Sequence, residues 1–395
     1  MAKNTPPDPA ARASLLAATR NLKMARSPDS YVRGSTVKFY QWLAESGKKL
    51  PEGPPVWICG DCHIGNLGPL ANAKGAVAVQ IRDLDQTVIG NPAHDLVRLG
   101  LSLASAARSA DLPGVATARI IEALIAGYEQ ALGGDYADDA SAKPPKLVAN
   151  LLAQSFQRRW RHLAEERLND RSPSIPLGTR FWPLAADERA ALVALFADEA
   201  VDVAVTGLRG REGREDIAFI DAAYWVKGCS SLGLLRYAVL LRVGEREFCL
   251  VDIKQATAPA APRAADASMP RNNAERVVAG ARALSPHLGE RMLATTLSGT
   301  PIFLRELTPQ DLKLEIENFD HGQATAMAYY LANVVGRAHG RQMDDATRRS
   351  WNARLSRNRG KLDAPSWLWS SVVELLGIHE AEYLDHCRRY ALTQA

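Results

Sequence analysis

The sequence predicts a mixed α+β fold in which a sheet-rich stretch lies between two helical ones. Three observations predict it. Apolar residues recur at helical spacing through most of residues 13–199. Between 201 and 307 the texture changes to short β-branched and aromatic runs, such as EDIAFIDAAYWV, LRYAVLLRV, EFCLVDIKQA and TPIFLREL. Helical spacing then returns over 309–318, 323–343 and much of 344–393.

Taken in order, residues 1–12 are Pro-rich and read as a frayed tail. Residues 13–46 read as helical with a break near Ser27, Pro28 and Asp29; Phe39, Tyr40, Trp42 and Leu43 mark an apolar face after it. Residues 55–59 and 76–82 are strand candidates. LVRLGLSLASAA, within 95–107, is helical and mostly apolar, so it predicts a buried helix. Asp111 before Leu-Pro is read as the N-cap of the next helix, which Gly133-Gly134 stops. A polar loop at 135–145 leads to helices at 146–168 and 185–199, with a Pro/Ser/Arg loop at 169–184 between them. AVDVAVTG, from 200, reads as the first strand of the sheet-rich part, and Gly244-Glu245 as a hairpin turn within it. One helix interrupts the strands at roughly 271–285.

Bulk properties exclude several classes. The 395 residues suffice for two or three domains or one two-lobed unit. A net charge of +4 gives no electrostatic reason to expect a nucleic-acid or anionic-membrane partner. The opening twenty residues carry no apolar core of a signal peptide, and no apolar run approaches membrane-helix length. Five scattered cysteines fit a reducing cytoplasm better than a disulfide framework.

Two constellations carry candidate chemistry. The first is Gly60-Asp61-Cys62-His63-Ile64-Gly65-Asn66, followed by a strand candidate and then Asp83-Leu84-Asp85. A carboxylate to orient an acceptor hydroxyl, plus oxygen ligands for magnesium, is what phosphoryl transfer needs. Asp61 and Asn66 in one loop, with Asp83 or Asp85 beyond the next strand, are residues of those types. The second is the loop Gly228-Cys229-Ser230-Ser231-Leu232-Gly233 between two strand candidates, where backbone N–H groups are able to approach phosphates. Lys254 lies two hairpin strands later amid apolar residues and needs a partner; Glu275, on the following helix, is the one expected.

Other motifs have plainer readings. Cys59-Gly-Asp-Cys62-His63 matches the haem-attachment pattern, but that chemistry requires export. It also offers half of a zinc site, or a redox dithiol. The reading adopted is a buried strand end for Cys59 and a small loop residue for Cys62. His339, alone on an apolar helix, is read as a structural core residue. No GxSxG elbow supports a Ser/His/Asp hydrolase.

These residues resemble the aminoglycoside-phosphotransferase and choline-kinase branch of the protein-kinase-like superfamily. Cys59 to Asn66 is similar to that branch's HGDxHxxN catalytic loop, with Cys59 in place of the first His. Ile81 to Asp85 is similar to its metal-binding strand end, and Gly90-Asn-Pro-Ala-His-Asp95-Leu96 to its GDPxxDL. The chain resembles still more closely an uncharacterised bacterial family, domain of unknown function 2252, over most of residues 24–345. CGDCHIGN, DLDQT, VKGCSSLGLLRY, IKQA and RAHGRQMD carry that resemblance. Gln255 after the lysine, and Ala279 where an acidic residue is expected, depart from its pattern.

The resemblance implies a bilobal protein-kinase-like fold in circularly permuted order. The glycine loop and lysine follow the catalytic loop here, whereas ordinary kinases have them before it. The expected large lobe is residues 1–200 plus 308–395, with the small lobe, 201–307, inserted between. By the resemblance, Asp61 is the catalytic base, and Asn66 and Asp83 bind Mg²⁺ with help from Asp85. Asp95 braces the loop, Gly228, Ser230, Ser231 and Gly233 cover the phosphates of ATP, and Lys254 holds them with Glu275 as its tether. Residues 300–311 supply the adenine-facing hinge. The implied activity is a cytoplasmic ATP phosphotransferase acting on a small-molecule or protein acceptor. A non-catalytic pseudokinase and a nucleotidyl transferase remain the alternatives.

Overall fold

A computed structural model describes residues 7–46, 50–134, 142–168, 173–199, 201, 202, 205, 216–229, 231–245, 247–312, 320–357 and 363–391. Helices α1 (Arg12–Met24), α2 (Pro28–Gly34) and α3 (Thr36–Glu45) precede four short strands, β1 (Val56–Ile58), β2 (Leu67–Ala71), β3 (Val77–Ile81) and β4 (Val88–Gly90). Ser27 caps α2 through its hydroxyl, and Pro28 begins it, which makes the break after α1. β1 pairs antiparallel with β4, and β2 with β3. The β1–β2 and β3–β4 connections therefore emerge side by side.

Next come α4 (Ala93–Ser109), α5 (Gly114–Leu132), α6 (Lys146–Gln157), α7 (Trp160–Arg167), β5 (Phe181–Trp182) and α8 (Ala186–Phe196). The apolar 95–107 segment is almost wholly buried in α4, as its composition predicts. Asp111 does not cap α5. It takes a left-handed φ of 53° in the turn, and Pro113 stands at the cap position. Proline's fixed φ starts the helix without a side-chain acceptor.

The sheet-rich part holds β6 (Ile217–Trp225), β7 (Arg236–Val243), β8 (Glu247–Gln255), α9 (Asn273–Leu284), α10 (Pro286–Gly289), β9 (Met292–Leu297) and β10 (Thr300–Glu306). Six strands form one antiparallel sheet in the order β5-β6-β7-β8-β10-β9. The turn at Gly244 joins β7 to β8, with φ 60° at the glycine. AVDVAVTG is not a strand at its described positions. Val201, Asp202 and Val205 are helical, and the two buried valines four residues apart lie on one helical face.

The chain closes with α11 (His321–Gly340), α12 (Asp345–Leu355) and α13 (Ser366–Tyr390). α5 and α11 pack closely because Gly127 and Gly336 leave room; a Cβ on Gly127 would sit 2.1 Å from the carbonyl oxygen of Tyr329. The largest core joins α3, α4, α5, α11 and α13 to β1–β4 and α9. Two smaller cores lie on the two faces of the sheet. Tyr237, Val239 and Val251 meet α8 on one face; Trp225, Ala238 and Leu250 meet Leu163 of α7 on the other. α9 packs on β9, β10 and β1, and so ties the sheet to the helical body. No helix among the described residues is long and apolar enough to cross a membrane.

Candidate active site

The site is built on the two adjacent connections. In the first, Asp95 in the opening turn of α4 accepts from the backbone N–H of Cys59 at 2.7 Å and of Gly60 at 3.0 Å. His339 of α11 approaches the same carboxylate at 3.1 Å through Nε2, and its Nδ1 meets the Tyr128 hydroxyl at 2.9 Å. With Asp95 as acceptor, Nε2 carries the hydrogen and Tyr128 donates to Nδ1. Trp351 donates to the Tyr128 oxygen at 3.3 Å. His339 is thus a satisfied core residue, and the chain of contacts fixes the loop's entry. Gly60 has φ 75°, and a Cβ there would lie 2.2 Å from the carbonyl oxygen of Gln86. Only glycine fits this turn.

Asp61 follows, 7% exposed. Arg98, fully buried one turn beyond Asp95, donates from Nε to Asp61 Oδ1 at 3.0 Å and from Nη2 to the carbonyl of Val32. His63 Nε2 stands 3.8 Å from Asp61 Oδ2. Burial drives the His63 pKa down to about 4, against the pull of Asp61, so the ring is neutral near pH 7. Asn66 donates to the carbonyl of Asp61 at 2.9 Å, which closes the loop on itself.

In the second connection, Asp83 and Asp85 flank the buried ammonium of Lys254. Lys254 Nζ lies 3.0 and 3.2 Å from the two oxygens of Asp83 and 2.7 Å from Asp85 Oδ2. The lysine side chain is 4% exposed and that of Asp83 is 41% exposed, so solvent reaches the carboxylate and not the amine. Burial disfavours the Asp83 charge, but Lys254 and Arg305 more than offset this and hold the carboxyl below its usual range. Burial, then the Asp83 charge, raises Asp85 to about 6. Asp85 Oδ1 is buried without a hydrogen-bond partner.

Glu275 is not the tether of Lys254. It is exposed in the first turn of α9, where its backbone N–H donates to the Asn272 cap. The neighbouring Arg276 points inward instead. Its guanidinium donates to the backbone carbonyls of Asp85, Thr87 and Thr257 and clamps the metal-type loop from behind. The lysine has two carboxylates already, and α9 secures their backbone.

The glycine loop joins β6 to β7 through turns in which Gly228 has φ 94° and Gly233 has φ 108°. Ser231 accepts from the N–H of Leu234, and a Cβ on Gly228 would lie 2.5 Å from its hydroxyl. Ser230 lies outside the described residues. Of the expected hinge, Leu307 N–H donates to Leu250 and Pro309-Gln310 form a turn; 313–318 of the helix expected at 309–318 lie outside the described residues.

Residues 12–389 match the family described as an uncharacterized protein conserved in bacteria, DUF2252. The chain belongs to the DUF2252 family. No curated protein and no solved structure matches it.

The DUF2252 chain holds, among its described residues, no cluster of three or more His, Cys, Asp or Glu arranged for a metal. Mg²⁺ does not require one. It is bound through one or two carboxylates, with water and substrate phosphate completing the shell. Asp83 and Asp85 fit that donor set, and the unpartnered Asp85 oxygen is a free ligand position. Sequence reading missed Arg98, Asp252, Arg236, Arg276 and Arg305. Each is a charge inside an apolar run or helix face, and that was the available signal. All five cysteines are free thiols, with Cys59 and Cys62 buried.

Proposed function

We propose that this DUF2252 protein is a kinase-like ATP phosphotransferase of circularly permuted order, moving the γ-phosphoryl group to a hydroxyl acceptor. One observation carries the reading. Lys254, on the third strand of the glycine-loop hairpin unit, meets Asp83, which follows the catalytic-type loop, although 171 residues separate them. In kinases the same two residue types act on one nucleotide, the lysine on phosphates and the aspartate on the metal. The succession of strand, glycine loop, strand, hairpin, lysine strand and helix supports the small-lobe assignment.

Within this reading Asp61 orients the acceptor. Its Oδ1 is taken by Arg98, which leaves Oδ2 to accept the hydroxyl's hydrogen bond. Asn66, Asp83 and Asp85 are the candidate ligands for Mg²⁺, which when bound would neutralise charge between the phosphates. Lys254 exchanges its carboxylates for the α/β-phosphates as the cleft fills. Gly228, Ser231 and Gly233 cover the phosphates from above.

The test is calorimetric binding of Mg-ATP to the wild type, Lys254→Ala and Asp83→Ala. Loss of affinity in both variants is expected, and unaltered affinity in both would overturn the site. Incubation with γ- and α-labelled ATP then sorts the chemistry. Transfer of γ-label alone supports phosphotransfer, transfer of α-label supports nucleotidyl transfer, and binding without transfer supports a pseudokinase.

A further inference from the structure

We propose that the sheet face beside Lys254 carries a second anion subsite, formed by Lys227, Arg236 and Arg305 around Trp225, for a phosphate or carboxylate group of a ligand bound beside Lys254.

The strand register gathers these residues. Arg236 on β7 and Phe303 on β10 stand directly opposite Lys254, and Arg305 stands opposite Asp252. Asp252 and Lys254, two apart on β8, point to one face, so the four charged side chains share it. The buried Trp225 ring lies at the same face. Lys227 Nζ sits 4.2 Å from its centroid, with the guanidinium carbons of Arg236 and Arg167 at 5.1 Å each.

The charges on this face do not cancel. Asp252 is fully buried and accepts two hydrogen bonds from Arg236, at 3.0 and 2.6 Å, and two from Arg305, at 3.1 and 2.9 Å. One carboxylate is thus shared by two guanidinium groups, and Lys227 adds a third basic group. Among the described residues Lys227 forms no ion pair, and the Trp225 ring is the contact its ammonium makes. Burial, then the charge of Arg236, pushes its pKa well below the ordinary lysine value. A partly buried amine that has an aromatic ring and no carboxylate beside it gains from an incoming anion, which supplies the missing counter-charge.

The sequence points the same way. The strand reads Val251-Asp252-Ile253-Lys254, and its alternation sets the charged Asp252 and Lys254 on the face where Leu250 is apolar. Such a surface is suited to anionic oxygens and not to an apolar ring. The subsite itself does not depend on the function proposed above; only the source of the anion does. That source is either the terminal phosphates of the nucleotide or an anionic group on the acceptor.

The experiment is calorimetry on the full chain with inorganic pyrophosphate, AMP and ATP. Wild type, Lys227→Met and Lys227→Arg are compared, with melting curves to establish that each is folded. Pyrophosphate should bind the wild type, bind Lys227→Met about tenfold or more weakly, and recover in Lys227→Arg. If ATP also weakens in Lys227→Met while AMP does not, the anion is the nucleotide's terminal phosphates. If pyrophosphate alone weakens, the anion belongs to the acceptor. If ATP fails to bind the wild type while pyrophosphate binding depends on Lys227, the subsite stands and the nucleotide reading falls. Pyrophosphate binding that is absent, or equal in wild type and a folded Lys227→Met, overturns the proposal.

Discussion

Lys254 and Asp83 are 171 residues apart in the chain and 3.0 Å apart in the fold. The contact joins the sheet to the loop after β3, and Asp85 makes it a triad. Two carboxylates around one ammonium are a cation site that the protein fills with its own side chain. Replacing Lys254 by Met should therefore leave Asp83 and Asp85 repelling one another. Removing one partner of a buried pair costs about 3–5 kcal/mol, but the exposure of Asp83 allows water to screen much of this. The expected result is a lowered Tm that millimolar Mg²⁺ raises more in Lys254→Met than in the wild type. Equal responses in scanning calorimetry would show that the carboxylate pair does not take a divalent cation.

Asp61 and Arg98 separate chemistry from stability. An asparagine at 61 keeps the oxygen that accepts from Arg98 Nε. Asp61→Asn should lose less stability than Arg98→Met and, on the proposed phosphotransferase reading, lose phosphoryl transfer. Arg98→Met removes the buried counter-charge and the bond to Val32, and should cost about 3–5 kcal/mol in urea unfolding. Matching losses of stability in the two variants would contradict this division.

Asp95 serves three donors at once, two from the loop backbone and one from His339. An asparagine has one acceptor oxygen and presents N–H groups of its own. Asp95→Asn should strand at least one buried donor, at about 1–3 kcal/mol, and loosen the loop that carries Asp61. Hydrogen exchange at Cys59 and Gly60 would report it directly. Protection unchanged from the wild type would mean that the brace is held elsewhere.

The sequence made some of this legible and hid the rest for physical reasons. Gly60, Asp61, Asn66, Asp83 and Asp85 are readable because their types and short spacings fix them to two loops. The hairpin at Gly244 is readable because turn chemistry is local. The partner of Lys254 is not local. It depends on how a late sheet docks on an early loop, which no short window encodes. Glu275 is the expectation that chain order gives, but on α9 its side chain is exposed while that of the neighbouring Arg276 is buried. Asp252 and Arg98 were concealed by their apolar neighbours, although a lone charge in such a run always requires a partner.

Buried His63 and His379 and half-buried His94 make the fold acid-sensitive. Burial is the first cause that holds His63, His94 and His379 each to about 4 in the native state. An unfolded chain releases them to about 6.5, so it binds more protons than the native state as pH falls. The neutral rings therefore contribute their full stability above about pH 6.5, and it drains away between there and pH 4. At pH 5 each ring should account for a loss of about 2 kcal/mol. Stability in urea should be level from pH 7 to 8 and decline steeply below 6.5. His94→Gln combined with His379→Gln should flatten that decline by two of the three contributions. An unchanged slope in the double variant would place the acid sensitivity on other groups.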